Sequence, residues 1–169
     1  MHDPNSGQET GQRDFTHLDE TGQARMVDIS GKQPTHRTAI AKGYISMTPE
    51  TLRKIKTDQL SKGDVLQVAR IAAIMAAKKT SELIPLCHPI LISSFRIKFT
   101  EDDTLPGIAV QAEASTLGNT GIEMEVLTGV SIALLTIYDM AKSSDKSMVI
   151  SQVQLISKEG GKSGKWTVK

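Results

Sequence analysis

Cysteine is almost missing from this chain. Cys87 is the only one in 169 residues, which excludes an intrachain disulfide and a cysteine-rich metal cluster. Aromatics are scarce at 4%, so platforms for stacking exposed bases are few. Charge of one sign is also lacking. A formal net charge of +1 gives no global attraction to nucleic acid or to acidic membranes, and any anion site must be assembled locally. No run reads as long and apolar enough to span a bilayer. The opening MHDPNSGQETGQRD has no apolar core of a secretory signal, so a cytoplasmic location is expected. His2, His17, His36 and His88 are scattered with no pair at helical ligand spacing, and no metal site is expected.

What the chain does have is an aliphatic supply, 38% hydrophobic with 23% charged residues, which fits one α/β or α+β domain with a substantial core. Residues 1–14 are too polar to order themselves and are expected to be a disordered tail. A single domain should then occupy 15–158, followed by a flexible, glycine-rich tail over 159–169. Residues 38–47, TAIAKGYISM, read as a strand with a break near Gly43. Thr48-Pro49 starts a short helix reaching about Thr57, and Asp64 caps a longer one through VLQVARIAAIMAAKKTSEL. Two prolines stiffen LIPLCHP. Alternating runs at 90–100 and 108–116 predict an antiparallel hairpin turning near Asp103, and a last strand is predicted over 148–157. The order β, helical pair, β, β, α, β suggests an antiparallel sheet with helices on one face, as in ferredoxin-like folds.

The stretch from 118 to 146, GNTGIEMEVLTGVSIALLTIYDMAKSSDK, organises the rest. Its middle is apolar enough for a helix buried on most sides, and charge sits only at its ends. At 1.5 Å per residue, Glu125 and Asp139 lie about 20 Å apart along such a helix. One compact pocket in one subunit does not use both ends. Either the ligand is long or another subunit completes the site.

Several residue types here can carry chemistry. Cys87-His88 sits on a rigid platform between prolines, although a buried thiol and a backbone-tied histidine are the commoner reading. Glu123 and Glu125 point to different faces if helical and share one if extended. Ordinary carboxylates at a helix start explain such a pair equally well. Gly118, Asn119, Thr120 and Gly121 offer a backbone cradle but lack a P-loop ending. Asp139 and Lys142, at i and i+3, share a face and can exchange protons if shielded. Arg37, Lys62, Lys78 and Lys158 bind phosphates only if the fold gathers them.

At these residues the chain resembles the MoaC family of molybdenum cofactor biosynthesis. The stretches are FTHLDETGQARMVDIS, KGDVLQVARIAAIMAAKKTSELIPLCHP, TGIEMEVLTGVS, YDMAKSSDKSMVI and EGGKSG, together spanning about 15–164. The resemblance implies an α+β, ferredoxin-like lyase. It would convert the 3',8-cyclo-7,8-dihydro form of GTP, made upstream by a radical SAM GTP cyclase, to cyclic pyranopterin monophosphate with loss of pyrophosphate. It also implies a homohexamer, a trimer of dimers with sites at dimer interfaces. Carried over, Asp139 is the catalytic acid/base and Lys142 its partner. Leu86, Cys87, His88, Glu123, Met124 and Glu125 line the substrate site, while Arg37, Lys62, Lys78 and Lys158 hold phosphates or shuttle protons. Lys162 in the tail is expected near the triphosphate. No cofactor is required, and magnesium enters only with the triphosphate. Many members of the family have Cys after the YDM triplet where this chain has Ala141. That position lies beside the Asp139–Lys142 pair and leaves activity unquestioned.

Two rivals differ in class. A nucleotide-sensing binding protein would keep Lys62, Lys78 and His88 without needing Asp139 and Lys142. An RNA-binding domain of this topology would need sheet-surface aromatics and a basic stripe. The scarcity of aromatics and the near-zero charge argue against it.

Overall fold

Twelve residues, THRTAIAKGYIS, form the central strand β1 (Thr35–Ser46), with Ala39, Ala41 and Ile45 buried on one side. In this computed structural model residues 21–162 and 164–169 are described; the expected tail over 1–14 and the start of order near Phe15 lie outside them. After β1 come helices α1 (Pro49–Lys56), α2 (Val65–Lys78) and α3 (Thr80–Leu83), then β2 (Ser94–Asp102) and β3 (Gly107–Gly118). The long helix α4 (Glu123–Ala141) follows, then β4 (Val149–Glu159) and β5 (Trp166–Thr167). Sheet order is β2-β3-β1-β4-β5, antiparallel throughout. The α+β expectation, an antiparallel sheet with helices packed against it, matches this arrangement.

Local signals explain most element ends. The Thr48 hydroxyl accepts from Thr51 N and Pro49 occupies the first turn of α1, while Asp64 accepts from Gln67 N at the start of α2. Where one helix was expected, α2 stops at Lys78 and a separate turn, α3, follows. The Thr80 hydroxyl donates back toward the Ala76 and Ala77 carbonyls, and Lys79 leaves helical geometry. β2 begins at Ser94 and not at 90, because the Leu91 carbonyl is taken by the Thr116 hydroxyl instead of by a ladder amide. Within the segment expected to be a flexible tail, Trp166 and Thr167 pair with Lys158 and Ser157.

The core lies between the sheet and α4. Val126, Val130, Ala133, Leu134 and Ile137 of α4 are buried against Ala39, Ala41 and Ile45 of β1 and Ile108, Val110 and Ala112 of β3. Small residues set how closely the layers approach. At Gly43 a Cβ would lie 2.7 Å from Leu134 Cδ1. The β1–β4 register also shifts between Lys42 and Tyr44, the break expected at this glycine. α4, with 19 residues, is long and apolar enough by length and composition to cross a membrane, contrary to the sequence expectation. Its apolar faces are explained by packing on the sheet and on α2. Beyond its last turn, the buried carboxylate of Asp145 accepts from Thr48 N at 2.8 Å and from Ser147 Oγ at 2.6 Å. That clamp ties the end of α4 to the start of α1. Hydrogen bonding from Ser147 holds the carboxyl below its ordinary range.

Leu134 is fully buried, so Leu134→Ala removes core packing and leaves a cavity. A loss of about 3 kcal/mol is expected, read from urea unfolding with an unchanged m-value.

Candidate active site

The proline-stiffened connection after α3 passes beside the start of α4 and places Leu86, Cys87 and His88, all half-buried, opposite Met124 and Glu125. Val27, Ile29 and Ile90 add apolar walls to a cavity of about 430 Å³ that these residues share with Glu123 and Lys32. Glu125 is only 3% exposed, and its Oε2 has no hydrogen-bond partner. Burial, reinforced by the nearby Glu123, pushes its carboxyl up to about 7. Burial also raises the Cys87 thiol, with Glu125 adding to the effect. Cys87 thus lines the cavity with its thiol form favoured over the thiolate.

A second cavity of about 550 Å³ adjoins the first. Lys32, Arg37, Lys158 and Lys162 line it, together with Asn119, Thr120, Gly121, Gly160 and Gly161. Arg37 Nε donates to the Gly118 carbonyl at 2.9 Å, and Lys158 Nζ meets Glu123 Oε1 at 2.8 Å. Gly161 has φ +70°, and a Cβ there would lie 2.5 Å from Arg37 Nη1, so the glycine pair leaves room for the guanidinium. Lys32, Thr120, Gly121 and Glu123 belong to both cavities. The two are arms of one cleft around the start of α4, one walled by apolar residues and one lined with cations.

At the other end of α4, Asp139 Oδ1 accepts from Lys142 Nζ at 2.7 Å and Oδ2 from Lys62 Nζ at 3.0 Å. The carboxylate is 57% exposed. Lys142, then Lys62, holds it below the ordinary carboxylate range, and Asp139 in turn raises Lys142. Helical rise separates this cluster from Glu125 by about 20 Å. Lys78 is exposed on the last turn of α2 and lines neither cavity. The fold thus gathers Arg37, Leu86, Cys87, His88, Glu123, Met124, Glu125 and Lys158 at one end. It sets Lys62, Asp139 and Lys142 at the other.

Sequence reasoning missed Lys32 and the Val27–Ile29 wall. The segment carrying them has almost no regular structure, and Asn119 Nδ2 donates to the Ile29 carbonyl at 3.3 Å, which helps to seat it. In the sequence, Met26 to Ile29 is no more than a short apolar run, with no signal that it borders a cleft. Among the described residues no group of three or more His, Cys, Asp or Glu side chains is placed to hold a metal ion.

Glu125 makes stability depend on pH. Its folded carboxyl titrates near 7 against an ordinary value of 4.5, so the folded state retains a proton that the unfolded state has lost. Stability therefore falls as pH rises between those values, by roughly 3 kcal/mol. Glu125→Gln should remove this decline, measured as the difference between variant and wild type in urea unfolding at pH 5 and pH 8.

The model of the MoaC family matches residues 26–161. A protein of Methylobacterium nodulans named cyclic pyranopterin monophosphate synthase is 56% identical over 150 residues, covering 89% of this chain and 94% of the relative. A protein of the same name from Desulforapulum autotrophicum is 56% identical over 151 residues, covering 89% and 93%. A third, from a Methylobacterium species, is 55% identical over 152 residues, covering 90% and 95%. With the family match spanning most of its length and its relatives aligned nearly end to end, the chain belongs to the MoaC family.

Proposed function

We infer that the protein is a cyclic pyranopterin monophosphate synthase, a lyase of molybdenum cofactor biosynthesis. The observation that carries this reading beyond the relatives' names is the two-armed cleft at the start of α4. One arm offers four cationic side chains to a polyphosphate, and the other offers apolar walls and a buried carboxyl to a heterocycle. The substrate is the 3',8-cyclo-7,8-dihydro form of GTP, supplied by an upstream radical SAM GTP cyclase. The purine-derived skeleton rearranges into a pyranopterin; a sugar hydroxyl gives up its proton to a basic side chain as its oxygen bonds the α-phosphorus, the α–β anhydride bond breaks, and pyrophosphate leaves. Lys32, Arg37, Lys158 and Lys162 neutralise the triphosphate and the departing pyrophosphate. No cofactor enters the reaction, and magnesium arrives with the triphosphate.

Proton handling falls to Asp139, Lys142 and Lys62. A carboxylate held between two ammonium groups is ionised at rest. It becomes a proton acceptor when phosphate draws a lysine away. Lys78, outside both cavities of its own subunit, contributes charge to a triphosphate bound in a site shared between subunits.

The distance between the two ends supports a site shared between subunits. Val68, Ile71 and Met75 expose an apolar stripe on α2, and Leu135 is exposed on α4. A second copy paired across this face by a twofold axis would set one subunit's Asp139 end against the other's Glu125 end. The working assembly is a homohexamer, a trimer of such dimers, in the cytoplasm.

Asp139→Asn should bind substrate while releasing pyrophosphate on the order of 100-fold more slowly than wild type. Equal loss of binding and turnover would make Asp139 a positioning residue, and undiminished release would remove it from the chemistry. If the ends come from different subunits, co-refolding inactive Asp139→Asn and Lys158→Ala chains should restore roughly a quarter of wild-type release. No recovery in mixed oligomers would place both ends in one subunit's site.

A further inference from the structure

The turn after α4 is held more firmly than its irregular backbone suggests. It covers residues 142–148, between the last residue of α4 and Val149 of β4. The Ala141 carbonyl accepts from Ser144 N at 2.8 Å and from Asp145 N at 3.1 Å, and Tyr138 Oη donates to the Lys146 carbonyl at 3.2 Å. Asp145, 6% exposed, closes the turn from inside. Its Oδ1 accepts from Ser147 N at 2.8 Å and Ser147 Oγ at 2.6 Å, and its Oδ2 accepts from Thr48 N at 2.8 Å. One oxygen serves its own turn and the other serves the cap of α1, a bridge that takes two acceptors on one side chain. All three donors are neutral. Burying a carboxylate among neutral groups costs stability, so filling this corner does not by itself account for Asp145.

Two members of the proton-handling cluster hang from the segments that Asp145 joins. Lys142 is the first residue of the turn, its N–H bonded to the Tyr138 carbonyl at 2.9 Å. Lys62 follows α1, in the connection that leads to α2. Their ammonium groups reach opposite oxygens of Asp139, Lys142 at 2.7 Å on Oδ1 and Lys62 at 3.0 Å on Oδ2. Both side chains are about half exposed, at 52% and 43%. Packing therefore does not fix them. Where the backbone presents each lysine decides whether both can meet one carboxylate.

We propose that Asp145 is a positioning residue for the Asp139 cluster, holding the turn after α4 against the start of α1 so that Lys142 and Lys62 bracket Asp139 together. Its action is through the backbone. The charged groups acting on Asp139 are Lys142 and Lys62, and those acting on Lys142 are Asp139 and Tyr138. With the clamp open, the turn carrying Lys142 and the segment carrying Lys62 move independently. Asp139 then keeps one lysine at a time, and a proton acceptor displaced by a fraction of an ångström transfers protons slowly. Binding in the cleft at the other end of α4 is left alone.

This role rests on the synthase reading above, but its first readout does not. The full chain in its native assembly is labelled briefly with trace acetic anhydride, and modification of each lysine is measured by mass spectrometry. Asp145→Asn keeps the size and turns one acceptor oxygen into a donor. It should raise labelling of Lys142 and Lys62 about three-fold over wild type, with Lys158, at the far end of α4, unchanged. Ser147→Ala removes one bond to the carboxylate and should act in the same direction more weakly, which keeps the test open if the first variant does not fold. Ser147→Thr retains the hydroxyl at this exposed position and should restore the wild-type pattern. In pyrophosphate release, Asp145→Asn should lower kcat about ten-fold while KM stays within about two-fold. A purely structural clamp would lower the urea midpoint and leave both labelling and kcat of the folded protein as in wild type. That outcome, or labelling that rises equally at Lys158, overturns the proposal. No release by wild type would overturn the synthase reading instead, and the labelling pattern would still decide whether Asp145 holds the cluster.

Discussion

Burial of α4 against the sheet is the constraint on which the rest of the molecule depends. Its central side chains are enclosed by alanines, isoleucines and valines of β1 and β3, and Gly43 lets Leu134 settle onto the strand. A rod so held keeps its two ends at a fixed separation. Polar chemistry is then possible only where the rod emerges from the core, because an ionised group midway would lose its hydration without gaining a partner. Both candidate clusters lie at those exits.

The two exits are electrostatic opposites. At the first turn, Glu123 and Glu125 differ by two positions yet meet different surroundings, since helical rotation turns them apart. Glu123 finds Lys158 at the end of β4, while Glu125 turns inward and is raised by burial. At the last turn, Asp139 stays exposed and ionised between Lys142 and Lys62. Two carboxylates on one helix thus carry different protonation preferences, set by burial in one case and by neighbouring ammonium groups in the other. A catalytic cycle that binds a polyphosphate and moves protons has use for both.

Much of this was legible in the chain. Thr48-Pro49 and Asp64 announced two helix starts because capping is a local interaction. The alternating residues of β2 and β3 revealed a hairpin, and the apolar run after Gly121 revealed the central helix. Misreadings arose where a tertiary bond outweighed local pattern. The Thr116 hydroxyl took the Leu91 carbonyl ahead of β2, and Thr80 split one helical run in two. Lys32 stayed hidden because an irregular segment has no periodicity to interpret. Asp145 carries no signal in the sequence, and only the approach of Thr48 makes it a buried clamp.

By itself, the sequence determined the principal element types and their order, though not the separate α3 or the short β5, together with the apolar character of α4 and the family to which the chain belongs. These depend on neighbours along the chain or on motif strings, and both are written in the order of residues. Tertiary structure alone determined which distant side chains meet: Arg37 with Gly118 and Gly161, Lys158 with Glu123, Lys62 with Asp139. It also determined that Glu125 is enclosed and Glu123 is not. The physical reason is that hydration and Coulomb partners depend on distances in space, and those distances exist only after the sheet and α4 have packed.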